Sequence, residues 1–488
     1  MVGVPYGRRL TDLARERGEQ IALVVARADG GESSYSWAAL EAQANQMARL
    51  LAGAGLGAGD LLAVGLGNTA QHVVVTFAAW KLGAAVLPLR PELPAWERDR
   101  LLGLACPRLL VGDWPDAPAG TLSSVDLEKS SADDDGPIGG DLAPQYVRLI
   151  ASSGSTGTPK IIVAPSSGRY VPDPETMLPA GSVALGASPL YHTNGWASSF
   201  PPLLDGVRVV LLERFDAARA VDVIERHRVS SAILVPTMLQ RIARLEGVLG
   251  RDFSSLDKVV YGGAVLPDWV AHTWLQLVPP ERFWFTYGGS EAIGIVLCSG
   301  AEWLTHPGTT GRGLDCDVVV LGAASEPLPA GGVGEVWLRL RSGEQEPFRY
   351  VGAQTPEPTA TGFRTYGDMG RMDEEGYLYI VDRRQDMIVT GGVNVFPAEV
   401  ELALSDHPEV ADVAVIGLPD PEWGRAVHAV VQPNLPDAPP TAEDLRAWCK
   451  QRLSGPKVPK GFRFLDQLPR TSAGKINRSQ LAAELSDG

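Results

Sequence analysis

From Leu61 onward, short β-branched runs alternate with stretches of helical periodicity. "LLAVGL" is followed by "AQHVVVTFAAWKLG" and "AVLPL", and later come "RVVLLE", "AARAVDVIERHR", "SSAILVP", "TMLQRIARLEGVL" and "LDKVVYGG". This rhythm predicts βαβ units, hence a parallel sheet with helices on its faces. Ligands of such sheets sit beyond the carboxyl ends of the strands. The loops after "VRLI", "KVVY" and "FWFTY" are therefore the first places to look for chemistry. Ahead of this region, "MVGVPYGRRLTDLARERGEQ" reads as an amphipathic helix, because charges stand where an export signal needs an apolar centre.

The pattern changes toward the carboxyl end. Between Gly313 and Gly362, "DVVVLG" and "GEVWLRL", separated by Gly and Pro, predict an antiparallel β subdomain. After Asp382 the chain begins again with "MIVTGG", "PAEVELALSDH", "VADVAVIGLPD", "AVHAVVQP", "AEDLRAWCKQRL" and "FRFLDQLP". That is an α+β set of about 100 residues, a normal size for a unit that folds on its own. The expected fold class is α/β: a large N-terminal domain of α/β layers with parallel sheets plus a β subdomain over residues 1–382, and a small α+β C-terminal domain over 383–488. "APAGTLSSVDLEKSSADDDGPIGGDLAP", residues 117–144, is rich in turn formers and reads as an exposed connection.

Composition narrows the function classes. In 488 residues, 43 Lys and Arg face 58 Asp and Glu, a formal charge of -15 that repels a phosphate backbone and excludes nucleic acid as the expected partner. Any phosphate must then be caught locally. Cys106, Cys298, Cys316 and Cys449 have no CxxC spacing, so neither a disulfide framework nor a zinc site is expected, and a reduced cytoplasmic setting is. The longest apolar-rich region is interrupted by Asn68, Gln71, His72 and Lys81, which argues against a membrane span.

Local phosphate capture has a candidate in "ASSGSTGTPK", residues 151–160. Gly154 and Gly157 permit positive φ and bare backbone amides, Ser152, Ser153, Ser155, Thr156 and Thr158 add hydroxyls, and Lys160 adds a cation. Pro159 before the lysine and Ile161 after it break the order of a Walker loop. "TYGGSE" puts Glu291 at a strand's end, suited to a Mg²⁺ that bridges phosphate oxygens, though such a stretch alone also fits an ordinary turn. "YGGAV" at Tyr261–Val265 could admit a flat ring or merely turn the chain, and Asp368 in "TYGDMG" reads as a ribose acceptor or an Asx turn. Lys475 sits in the small-residue loop of "LPRTSAGKINR".

Taken in order, "SSGSTGTPK", "YHTNG", "YGGSE", "YGDMG", "DRRQDMIVTGGVNV" and "PRTSAGKINR" resemble the adenylate-forming superfamily of acyl-CoA synthetases, adenylation domains and beetle luciferases, over about Leu61 to Arg478. Three stretches, "TMLQRIARLEGVLGRDFSSL", "EWLTHPGTTGR" and "DRRQDMIVTGGVNVFPAEVE", look most like the bile-acid CoA ligase branch, which acts on bulky alicyclic acids. The resemblance implies an AMP-forming ligase that joins a carboxylic acid to ATP with Mg²⁺ and passes the acyl group to CoA, or to a phosphopantetheinyl carrier protein. It implies that the 152–160 loop holds the β and γ phosphates, Ser290 the α-phosphate and Glu291 the metal. Gly262, Gly263 and Ala264 with Thr286, Tyr287, Gly288 and Gly289 would flank the adenine, and Asp368 and Arg383 the ribose. Lys475 would reach the reacting oxygens from a mobile C-terminal domain that turns about Asp382–Gln385, after which Gly391 and Gly392 come to the thiol tunnel that His192 borders. The usual pivot is Asp or Lys; this chain has Gln385. A monomer or homodimer is expected.

Overall fold

The computed structural model describes residues 3–129, 134–139, 142–152, 159–164, 168–173, 177–343, 348–470, 476 and 478–486. Among these, the largest sheet has nine strands, and its centre is parallel: Phe283–Tyr287, Lys258–Tyr261, Ser231–Leu234, Val183–Gly186, Arg208–Leu212 and Ile21–Ala26 lie side by side in that order. Antiparallel strands close both edges. The central strands are runs such as Arg208–Leu212 and Val183–Gly186 that are buried almost throughout, as parallel strands covered on both faces must be. A second parallel sheet joins Leu61–Gly65 to Ala85–Pro88 and Leu109–Gly112. The βαβ expectation is met in both.

Helices begin where polar side chains take up their free amides. Ser36, Thr69 and Asp216 accept from Ala39, His72 and Arg219, and Ser299 with Glu302 forms a reciprocal capping box. The amphipathic N-terminal stretch forms the helix Tyr6–Arg17. Lys81, which interrupts the apolar run, is buried rather than exposed: its Nζ lies 2.8 Å from Glu41 and donates to Thr11, tying the first three helices together. Burial holds its pKa below the usual value and Glu41 opposes that.

The β subdomain is an antiparallel sheet of Cys316–Leu321, Gly334–Leu340, Asp368–Met372 and Leu378–Arg383. Asp368 therefore opens a strand; the tight turn before it is made by Gly367 at φ 83°. The connection at 117–144 is not purely exposed coil, since Ser124–Lys129 forms a short helix whose Leu127 is buried in the core of the large domain. Beyond Arg383 the small α+β unit has a three-stranded sheet, Val410–Asp420, Gly424–Pro433 and Gly461–Phe464, packed on the helices Pro397–Ser405 and Ala442–Lys450. No helix among the described residues is long and apolar enough to cross a membrane.

Candidate active site

The loops that leave the carboxyl ends of adjacent parallel strands converge on one rim. Lys258–Tyr261 runs into Gly262 and Gly263, and Phe283–Tyr287 runs into Gly288–Glu291. A Cβ at Gly262 would stand 2.8 Å from Thr286 Cγ2, so the strand ends meet only if residue 262 is glycine. At Gly289 a Cβ would come 2.4 Å from Tyr366 Cε1. Ala264 O accepts the Tyr261 hydroxyl at 2.7 Å, which fixes the first of these loops.

The strands Ile150–Ser152 and Lys160–Val163, which flank the phosphate-loop candidate in the chain, pair antiparallel. Ser152 and Lys160 are cross-strand partners, so the loop springs from a paired base. Residues 153–158, which include Ser153, Gly154, Ser155, Thr156, Gly157 and Thr158, lie outside the described residues, as does Lys475. The strand Arg349–Val351 pairs with Lys160–Val163 on its other side. Tyr350 on that strand lies under Lys160 Nζ, 3.4 Å from ring centroid to nitrogen, and donates its hydroxyl to Glu291 Oε1 at 2.7 Å. Lys160, Tyr350 and Glu291 thus form one chain of contacts. Burial holds the Lys160 pKa below its ordinary value, Glu291 opposing and Arg383 adding to the shift. Burial and then Glu291 push the Tyr350 hydroxyl up, so it stays a donor.

A second cluster sits beside the first. Asp368 pairs with Arg383 across two strands, with Arg383 Nε 3.5 Å from Oδ1, and Tyr287 donates to Oδ2 at 2.8 Å. Burial and the neighbouring carboxylate push the Tyr287 pKa well up. Arg383 acts electrostatically on Lys160, Tyr350 and Tyr287 alike, so the two clusters share one field. Ser290 Oγ lies 2.8 Å from Thr193 Oγ1, which brings "YHTNG" to the same rim. His192 is the N-cap of the helix Thr193–Ala197, its ring 4.6 Å from that of Tyr191.

A magnesium ion fits Glu291. Among the described residues no three His, Cys, Asp or Glu gather as a protein cage, and a lone oriented carboxylate suits an ion that takes its remaining ligands from phosphate and water.

On the small domain, Gly391 and Gly392 have φ 54° and 80° and form the two-residue tip between Ile388–Thr390 and Val393–Val395, a turn that needs positive φ at both positions. They are exposed, and Gly391 is packed so closely on Trp423 that a Cβ would stand 2.7 Å from its ring. At the joint, Asp382 is buried and accepts from the amides of Arg383 and Ala398, whereas Gln385 is exposed in the turn that follows. Arg470 and Ile476 form a bridge at the base of the loop that carries Lys475, and Asp412 clamps Arg470 with two contacts of 2.6 Å.

Tyr350, Tyr366 and Thr193 complete this rim and were not singled out in the sequence. Thr193 lies inside a motif that was; the tyrosines stand in "FRYVG" and "RTYGD", where nothing local marks them.

Comparison with known proteins shows which family the chain belongs to. The AMP-binding enzyme family matches residues 10–342, and its C-terminal domain family matches 399–475. A feruloyl-CoA synthase of Amycolatopsis sp is 33% identical, covering 92% of this chain and 94% of its own length. A fatty acid–[acyl-carrier-protein] ligase of Streptomyces coeruleorubidus is 32% identical, covering 91% and 90%. The o-succinylbenzoate CoA synthetase of Bacillus subtilis, solved with its acyl-adenylate intermediate, superposes with a TM-score of 0.82 at 27% identity, covering 99% of this chain and 98% of that one. The chain belongs to the AMP-binding enzyme family and is an acid–thiol ligase of the AMP-forming kind.

Proposed function

We propose that this enzyme activates a bulky, largely apolar carboxylic acid with ATP and transfers the acyl group to CoA. The observation that carries the reading is the meeting, on one rim, of the Ser152–Lys160 hairpin base, the Tyr350-held Glu291 and the Tyr287–Asp368–Arg383 cluster. In the first step a carboxylate oxygen of the acid attacks the α-phosphorus, the bond to the β-phosphate oxygen breaks, and pyrophosphate leaves. Two anions must approach, so the protein's part is alignment and neutralisation of charge. Residues 152–160 hold the departing phosphates, Ser290 the α-phosphate, and Asp368 with Arg383 the ribose. Bound at Glu291, Mg²⁺ supplies charge to the phosphate oxygens. In the second step the thiol sulfur attacks the acyl carbonyl, AMP leaves, and the thiol proton passes to water. His192 borders the path of the thiol, and the Gly391–Gly392 tip lets a pantetheine arm lie close to backbone.

Feruloyl, 2-succinylbenzoyl and indoleacetyl ligases among the relatives support an acid with a ring system. A steroid- or terpenoid-like acid is the bulkiest form of the same reading. A second acceptor, the phosphopantetheine of a carrier protein, is favoured by the relative that loads an acyl carrier protein.

The test is acid-dependent pyrophosphate release over a panel of aryl, fatty, steroid and diterpenoid acids, followed by turnover with CoA against a holo carrier protein. Release with no acid would overturn adenylation, and faster transfer to the carrier would select the second acceptor. Lys475→Ala should cut adenylation by about 100- to 1000-fold with ATP affinity nearly kept, as for loss of one preorganised donor. Wild-type pyrophosphate exchange in that variant would contradict its role.

A further inference from the structure

Among the described residues, four that are not glycine have left-handed backbone: Cys106, Arg228, Ala292 and Ser325. Three stand where such a residue ordinarily stands. Cys106 and Arg228 end helices, and Ser325 lies in the tight turn between Gly322 and Glu326. Ala292, at φ 53°, is different. It directly follows Ser290 and Glu291, and its amide donates to Gly289 O at 3.1 Å, so those two residues are the centre of a turn that Ala292 closes. Alanine disfavours this backbone because its Cβ crowds the following carbonyl. Two residues on, Gly294 has φ 146° and is a glycine, so the loop has glycine at one of its positive-φ positions and alanine at the other. Strain of this kind persists only where the surroundings hold it.

The residue that holds it is Tyr366. Its ring lies against Gly289, and its hydroxyl accepts from the Ile293 amide at 3.1 Å and donates to Gly294 O at 3.2 Å. One side chain therefore grips the loop before Ser290 and again after Ala292. Burial pushes the Tyr366 pKa up, so the hydroxyl remains a donor. The ring is itself set edge-on against Tyr287, 5.7 Å between centroids. Glu291 Oε2 lies 2.9 Å from the place a Cβ of Gly289 would occupy, so the carboxylate folds over the same backbone that the Tyr366 ring supports. Were Ala292 to relax to right-handed or extended backbone, the peptide units that carry Ser290 and Glu291 would turn with it.

We propose that Tyr366 is a positioning residue for the metal and phosphate contacts: it keeps Ala292 left-handed and thereby aims Glu291 and Ser290 at the nucleotide. The inference rests on the adenylation reading above, in which Glu291 takes Mg²⁺. Its content is a coupling between two residues. With alanine at 292 the Tyr366 hydroxyl is needed to hold the turn; with glycine, which adopts positive φ freely, it is not.

The test is the cycle of Tyr366→Phe, Ala292→Gly and the double variant, read in two ways: the Mg²⁺ concentration for half-maximal pyrophosphate release, and the binding of Mn²⁺ to the ATP complex followed by electron paramagnetic resonance, which needs no turnover. Expected for Tyr366→Phe is a metal affinity weaker by about tenfold in both readouts. The same substitution made on Ala292→Gly should change them by less than about twofold. An equal loss in both backgrounds would overturn the proposal, since a tyrosine that merely stabilises the fold is not relieved by glycine at 292. Should the hydroxyl prove necessary for folding, Ala292→Val and Ala292→Asn decide instead. Valine strongly resists this backbone and asparagine tolerates it, so the first should weaken metal binding and the second should not; equal values would overturn the proposal. The two readings fail separately. Coupled Mn²⁺ binding without acid-dependent pyrophosphate release would sink adenylation and leave the brace. Acid-dependent release with no coupling would sink the brace and leave adenylation.

Discussion

At the scale of single residues, Tyr350 has the most to do with how the rim is ordered. Its ring supports the ammonium of Lys160 and its hydroxyl fixes one oxygen of Glu291, so one side chain orients both the proposed phosphate cation and the proposed metal ligand. Tyr350→Phe keeps the ring and removes only the hydroxyl. Glu291 then loses its orienting donor, and the expected result is a rise of about three- to tenfold in the Mg²⁺ concentration for half-maximal pyrophosphate release, with a fall of about tenfold in kcat. The KM for the acid should not move. A Mg²⁺ titration with wild-type midpoint would show that Glu291 needs no such support. The motifs "YGGSE", "YGDMG" and "DRRQD" name Glu291, Ser290, Asp368 and Arg383 as candidates, and the structure gathers these residues at one rim. Tyr350 is not among them. It reaches Glu291 because its strand pairs with Lys160–Val163, a long-range registration that leaves no mark in "FRYVG".

At the scale of elements, the strand and helix succession was legible from periodicity, since runs such as "RVVLL" and "SSAILV" between amphipathic helices have few other uses. Local chemistry competes in "TYGDMG", which looks like a turn about its aspartate: Gly367 makes the turn, its amide held by the Thr365 hydroxyl, and Asp368 is committed to the ladder opposite Arg383. The joint between the domains shows a subtler commitment. Asp382 is next to last in the strand Leu378–Arg383 and accepts from Ala398 in the first turn of Pro397–Ser405, where a negative charge meets the helix dipole favourably. Burial nonetheless dominates, raising its pKa to about 6 against the backbone bonds that lower it. The sign follows from linkage. As pH rises from about 4 to 6 the unfolded chain gives up this proton while the folded one holds it, so stability falls over that interval and the loss is complete above about 6. Asp382→Asn keeps an acceptor for Ala398 and never ionises. Its melting temperature should gain on wild type by about 2 °C or more between pH 4 and pH 7. A constant difference across that range would mean that Asp382 is already charged at the lower pH.

At the scale of the whole molecule, the two domains meet through named side chains. Arg244, at the end of the helix Pro236–Ala243, donates to the carbonyls of Val410 and Ala411 and lies over Trp269, and Gln240 donates to Ala411 at 3.2 Å. These carbonyls begin the long strand Val410–Asp420 of the small domain, so one guanidinium fastens that domain by its edge. The expected catalytic cycle requires Lys475 and the Gly391–Gly392 tip, which stand on different loops of the small domain, to approach the same rim in turn. A contact as specific as Arg244 to two backbone oxygens can persist in only one of the two orientations. Arg244→Ala should therefore change the half-reactions unequally, slowing by several-fold the one whose orientation it fastens and leaving the other equal or faster. Gln385→Pro works in the opposite sense. Gln385 is exposed in the turn after Arg383, and proline there fixes φ at the joint itself. That variant should form the adenylate at near wild-type rate and fail at thioester formation, as measured by single-turnover pyrophosphate release and acyl-CoA production. An equal loss in both half-reactions for both variants would mean that the domains act as one rigid body, and that Arg244 and Gln385 matter only to stability.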